Sequence, residues 1–233
     1  MKMKMIKALL IFGSILVFGC ATVDNKPVAP MPTVKPVVLS SVQLGEEAPA
    51  IKPGTKFIFR QGNIITKQWT TVAWEFKEKF MWQGKEAYLI DTTGGQGGQY
   101  MIWDQSLNIL ATADSQGKVV NAFDPCVKLF NFPMKVGMTY AANYDYWTAG
   151  KKMGSISEQV KIERKETVNV PAGAWNVFVV RREATKVVEY HYYAPMLGFP
   201  VKWIWSQAVD HPNGAGEFVT ELVKIENVEI KKK

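Results

Sequence analysis

From about residue 54 onward, apolar and polar positions alternate with a period of two over short runs rich in β-branched and aromatic residues, the pattern of half-buried strands. "TKFIFR", "EAYLID", "QYMIW", "KVVNAF", "QVKIERKETVNV", "WNVFVVRR", "VVEYHYY", "VKWIW" and "FVTELVKIENVEI" are such runs. Turn signals separate them: "QGN", "QGK", "TGGQGGQ", "SQGK", "TAGKK", "PAG" and "HPNGAG". No long segment carries a helical apolar period with caps at its ends. The pattern therefore predicts an all-β domain: a curved antiparallel sheet, barrel or sandwich of about ten to twelve strands. In "VKIERKETV", Val160, Ile162, Arg164, Glu166 and Val168 share one face of a long, partly wet strand. In "VPAGAW", Pro171 presets φ at the second turn position and Gly173 closes a type I turn. Pro195 and Gly198 mark a second strand-to-strand reversal.

The first residues follow a different pattern. Lys2, Lys4 and Lys7 precede the uncharged run "ALLIFGSILVFG", a positively charged n-region followed by an apolar h-region. A stable transmembrane helix needs about 20 apolar residues, and this run is shorter. Residues 1–19 are thus expected to be a signal peptide. Residues 20–53 hold six of the twelve prolines and none of the eight tryptophans, the composition of a tether. Pro-rich chain at about 3.1 Å per residue reaches roughly 100 Å. An edge strand within Val37–Leu44 is the competing reading. Residues 54–230 form the all-β domain, and Lys231, Lys232 and Lys233 form a basic tail.

Charge is distributed unevenly along the chain. The formal net charge is +7, but the signal segment and the tail carry three lysines each, while acids and bases of the linker cancel, leaving about +1 on the body. A nearly neutral domain argues against electrostatic binding of nucleic acid. The chain has two cysteines. If Cys20 is consumed by lipid, Cys126 has no partner for an intrachain disulfide, and it is expected to be a small buried or half-buried hydrophobe.

Catalytic and ligating sets are sparse. With only His191 and His211 in the chain, no ligand pair at metal spacing exists, and neither metal nor cofactor is expected. Asp210 and His211 are the one neighbouring acid and base suited to a hydrolase; a polar loop tip explains them more simply, so the domain is expected to be non-catalytic. "TTGGQGGQ" lacks the Lys-Ser/Thr ending of a phosphate-binding loop. "YMIWDQSLNILATADSQGK" is similar to one blade segment of a tryptophan-aspartate propeller but has no second copy. The aromatics remain. Trp203 and Trp205 share a face of one strand, and Tyr190 and Tyr192 share a face of the strand before it. They are core residues, or they line a pocket for an apolar small molecule or lipid.

Two resemblances complete the reading. Val17, Phe18, Gly19 and Cys20 resemble the bacterial lipobox, with Phe18 in place of the usual small residue. Cleavage after Ala21 by ordinary signal peptidase is the alternative. The lipobox resemblance implies that Cys20 is acylated, by palmitate among other chains, and anchors the protein in a membrane. Ala21 rather than Asp after the cysteine implies the outer membrane, with the domain in the periplasm or elsewhere in the cell envelope. "PGTKFIFRQGN", "FPMKVGMTY", "NVPAGAWNVFVV" and "YHYYAPMLGFPVK" resemble, in order and spacing, motifs of uncharacterised bacterial envelope β-domains. That resemblance implies the fold and brings no catalytic residues. The expected function is therefore binding or scaffolding by a lipid-anchored envelope protein, with an apolar ligand or a partner protein of an envelope complex as the alternatives.

Overall fold

The computed structural model describes residue 48 and residues 50–64, 66–92, 100–211 and 214–227. The signal segment, Cys20, the linker through residue 47, the glycine-rich loop 93–99 and the tail lysines lie outside the described residues.

Twelve strands are described: β1 (Lys56–Asn63), β2 (Gln68–Trp82), β3 (Lys85–Asp91), β4 (Tyr100–Asp104), β5 (Ile109–Ala113), β6 (Val119–Val127), β7 (Thr139–Thr148), β8 (Lys151–Val170), β9 (Gly173–Ala184), β10 (Val187–Ala194), β11 (Phe199–Gln207) and β12 (Gly216–Glu226). Each pairs antiparallel with its sequence neighbours, and β1 pairs with β12, so the sheet closes into a barrel. Closure removes the free edges that an open sheet of this size would expose. Barrel is thus the outcome among the architectures the alternation allowed. β2, β5 and β7 join the nine runs that the pattern marked.

Up-and-down order places the connections alternately at two ends. The β2–β3, β4–β5, β6–β7, β8–β9 and β10–β11 connections lie at one end, together with the start of β1 and the finish of β12. We call this the terminal end. The remaining connections form the opposite end.

Two bulges shape the terminal end. In β8 the register against β9 shifts between Ile162 and Arg164, so Glu163 is extra and the strand's alternation reverses there. Val160 and Ile162 are buried, whereas Arg164 and Glu166 are solvent-facing and paired with each other at 2.7 Å. The single face expected for Val160 through Val168 is therefore two faces joined at a bulge. In β12, Ile58 pairs with Lys224 but Phe59 with Leu222, leaving Val223 extra. There the Leu222 carbonyl accepts a hydrogen bond of 3.0 Å from the Ala172 amide, so the β8–β9 turn packs back onto β12. Val170 and Gly173 pair directly around Pro171 and Ala172, as the turn chemistry predicts.

Candidate functional site

The interior near the terminal end is filled by rings. Phe199 lies 4.4 Å from Phe57 in a stacked pair, and its centroid is 5.5 Å from Phe76, 5.8 Å from Trp103 and 6.1 Å from Trp74. Offset and edge-to-face rings at such spacings gain contact energy beyond their buried area. Trp203 belongs to this stack, 4.9 Å from Phe59 and 5.1 Å from Trp74.

The four aromatics singled out in the sequence do not share one surface. Along the β10–β11 ladder, Trp203 pairs with His191 and Trp205 with Glu189, whereas Tyr192 pairs with Lys202 and Tyr190 with Ile204. Directly paired residues point to the same side of a sheet, so the tryptophans face inward and the two tyrosines outward. Trp205 stacks on Phe218 at 5.3 Å. Tyr192 lies under the Lys202 ammonium at 5.9 Å, and Lys202 in turn bonds Glu221 at 2.9 Å on the outer face, with Arg60 on the same carboxylate at 2.6 Å.

Beside Trp205 the interior becomes ionic. Arg182 of β9, with a side chain only 6% exposed, binds Glu189 through Nη1 at 2.6 Å and Glu158 through Nη2. His191 Nε2 lies 2.9 Å from the same Glu189 oxygen, and the Tyr144 hydroxyl donates to Glu158 at 2.9 Å. Burial alone would raise the Glu189 carboxyl, but the Arg182 charge and the His191 hydrogen bond outweigh it and hold it at about 2. Burial likewise opposes the charge on Arg182, yet its two carboxylates keep the guanidinium above its ordinary range. Burial, then the Glu158 charge, pushes the Tyr144 hydroxyl up. The set is five titratable groups bonded to one another across β7, β8, β9 and β10. The sequence did carry a signal for it: Glu158 stands two residues before buried Val160 and Arg182 two residues after buried Val180, at inward positions of their strands.

Asp210 is exposed, whereas the adjacent His211 is buried. The Asp210 carboxylate is tied to Lys186 at 2.9 Å in an exposed loop, and this bond lowers its pKa below the ordinary value. Cys126 is half-buried against a small apolar cluster that includes Ile102 and Ala111. Burial, with Asp104 nearby, pushes its thiol up, which disfavours the reactive thiolate.

A concavity lies on the outer wall. It is a groove of about 460 Å³ between the tip of the β2–β3 hairpin and the surface of β5 to β7, a volume within the range of small-molecule sites. Trp82, Leu110, Val119 and Trp147 supply its apolar surface, and Gln83, Lys85 and Asp124 its polar edges. It exists because β6 stands off its neighbours. β6 meets β7 only over Asn121–Asp124, and against β5 it pairs Ala122 with Ala111 and then Val127 with Ile109. Sequence alternation gave no sign of this groove, because its residues come from five strands whose meeting depends on those bulges.

A scan of family models and a search of curated proteins find no match to the chain. Solved structures do resemble it. One is an exported protein with a YmcC-like fold from Bacteroides fragilis, 13% identical, over 76% of this chain and 97% of that one, with a TM-score of 0.43. Another is a lipoprotein from Parabacteroides distasonis, 10% identical, over 75% of this chain and 96% of that one, TM-score 0.38. A third is the hypothetical lipoprotein YmcC from Escherichia coli, 13% identical, over 74% and 85%, TM-score 0.43.

Proposed function

We propose that the chain is a lipid-anchored protein of the cell envelope, held at the outer membrane through acylated Cys20, and that its barrel is a non-catalytic binding module acting at its outer wall. The packed interior carries this reading. A barrel that encloses an apolar ligand keeps a cavity lined by its inward aromatics, whereas here Trp203 stands within a stack of rings around Phe199. The outer groove instead offers two tryptophans beside a lysine and an aspartate. That lining fits an aromatic or acyl group bearing a polar end, either on a small molecule or on a partner protein of the envelope.

Native mass spectrometry of protein extracted gently from its host membranes tests the reading. The wild type should carry a bound species that Trp147→Ala loses. Retention by Trp147→Ala together with loss in Trp205→Ala would return the site to the interior. Membrane fractionation of Cys20→Ser tests the anchor separately, since that variant should leave the membrane fraction unlipidated.

A further inference from the structure

We propose that the outer groove takes a zwitterionic amphiphile, a small molecule whose head carries both an ammonium and an anionic group and whose body is an apolar chain. The proposal rests on the reading of the groove as the binding site and adds the chemistry of the head it selects. A small-molecule site is an apolar wall with a few placed polar groups. Here Trp82, Leu110, Val119 and Trp147 form the wall, and Lys85 and Asp124 supply one charge of each sign.

Asp124 pairs directly with Asp145 across the β6–β7 ladder, and like charges so placed repel. Asp145 is compensated: Lys152 binds it at 2.5 Å and the Ser155 hydroxyl donates to it at 2.6 Å, and these bonds hold its carboxyl below the ordinary value. Asp124 has no such partner among the described residues. A ligand ammonium supplies the missing cation. Trp147, which pairs with Ala122 two residues before Asp124, is the ring type that best attracts such a charge. Lys85 stands on the other wall. Gln83 and Gly84 both have positive φ, 47° and 81°, as a type I′ turn requires, and this tight tip pairs Trp82 with Lys85. Adjacent Glu86 binds Lys79, and the Asp104 carboxylate accepts from the amides of Ser106 and Asn108. Among the described residues no acid is left bound to Lys85. Its charge is felt at Cys126, two residues along β6 from Asp124, so both charges serve the same part of the groove. A head of both signs satisfies both, whereas a singly charged head leaves one unmatched.

Four amphiphiles with one chain and different heads test this: octylphosphocholine, octyltrimethylammonium, octanoate and octyl glucoside. Each is titrated calorimetrically, below its micelle concentration, into the full-length protein carrying Cys20→Ser. Octylphosphocholine should bind several-fold more tightly than the other three, and added salt should narrow the preference. Asp124→Asn should weaken octylphosphocholine and octyltrimethylammonium several-fold and leave octanoate no weaker. Lys85→Gln should weaken octylphosphocholine and octanoate and leave octyltrimethylammonium no weaker. Denaturant midpoints should be unchanged by Lys85→Gln and unchanged or raised by Asp124→Asn, which removes a like-charge pair. Trp147→Ala should abolish binding of all four, and Trp82→Ala provides the same control should Trp147→Ala fail to fold. Equal affinity for the four heads, or tighter binding of a singly charged one, lost in Trp147→Ala, overturns the zwitterion and leaves the groove as the site. A preference for octylphosphocholine that survives both tryptophan variants, or no saturable binding of it, also overturns the proposal; the mass spectrum of the host-extracted protein then decides separately whether the groove reading stands.

Discussion

Removing the Arg182 guanidinium would leave Glu158 and Glu189 inside the barrel with no cation between them, and an uncompensated buried charge is among the costlier defects a fold can carry. Arg182→Met is expected to destabilise by about 3–5 kcal/mol, read from the denaturant midpoint at unchanged slope. Glu158→Gln should cost less, because Glu189 still balances the guanidinium. The pH dependence has a definite sign. Glu189 is held at about 2 in the fold against an ordinary 4.5, so its contribution is fully present above 4.5 and is lost as the pH falls from there through 2. Glu189→Gln should therefore flatten the acid limb of the stability curve in that window, and thermal melts across it check this. At this scale the sequence was half legible. Alternation within β11 correctly grouped Trp203 with Trp205, and alternation within β10 grouped Tyr190 with Tyr192. It could not place the two groups on opposite sides of the wall, since that depends on which residue of one strand lies opposite which residue of the next.

Glycine positions distinguish strands that are merely paired from strands pressed together. A Cβ on Gly62 would overlap the Gln68 carbonyl oxygen and meet the Trp69 ring at 2.8 Å. Both lie on β2, where Trp69 also carries the Arg60 guanidinium over its face at 4.8 Å. Backbone cannot yield as a side-chain tip can, so Gly62→Ala should cost about 2 kcal/mol or more, near the upper part of the range for overpacking. Gly154 of β8 has ordinary dihedrals and open space around its missing side chain. Gly154→Ala is expected to be neutral or to stabilise by about 0.5 kcal/mol, through the unfolded chain. Parallel denaturant titrations compare the two. Element existence was legible wherever β-branched and aromatic residues clustered. β2 and β7 were harder to see because charged or polar residues interrupt them, as in "FKEKF" and "AANYDY", and bulges such as the one at Glu163 leave no mark in composition.

Closure makes the whole barrel depend on its last strand. β12 pairs with both β1 and β11, so ending the chain before Gly216 would open two edges at once and expose their unpaired backbone groups. The truncated chain is expected to lose its cooperative melt and to aggregate, with light scattering and circular dichroism as the readouts. The all-β class was legible because the period of two persists across the chain; the closed form was not, because pairing of β1 with β12 spans nearly the whole domain. We infer that the ligand is met on the outer wall of a barrel whose interior is packed. A titration of a fatty acid or hydrophobic dye into wild type, Trp147→Ala and Trp203→Ala, followed by fluorescence and paired with a denaturant melt of each, tests it most directly. Trp147→Ala should abolish saturable binding with a stability change below about 1 kcal/mol, as for a surface site. Trp203→Ala should lose about 3–5 kcal/mol, as for a packed aromatic, and should still bind under conditions where it is folded. Binding that survives Trp147→Ala and vanishes in a stable Trp203→Ala would contradict the account and place the ligand within the barrel.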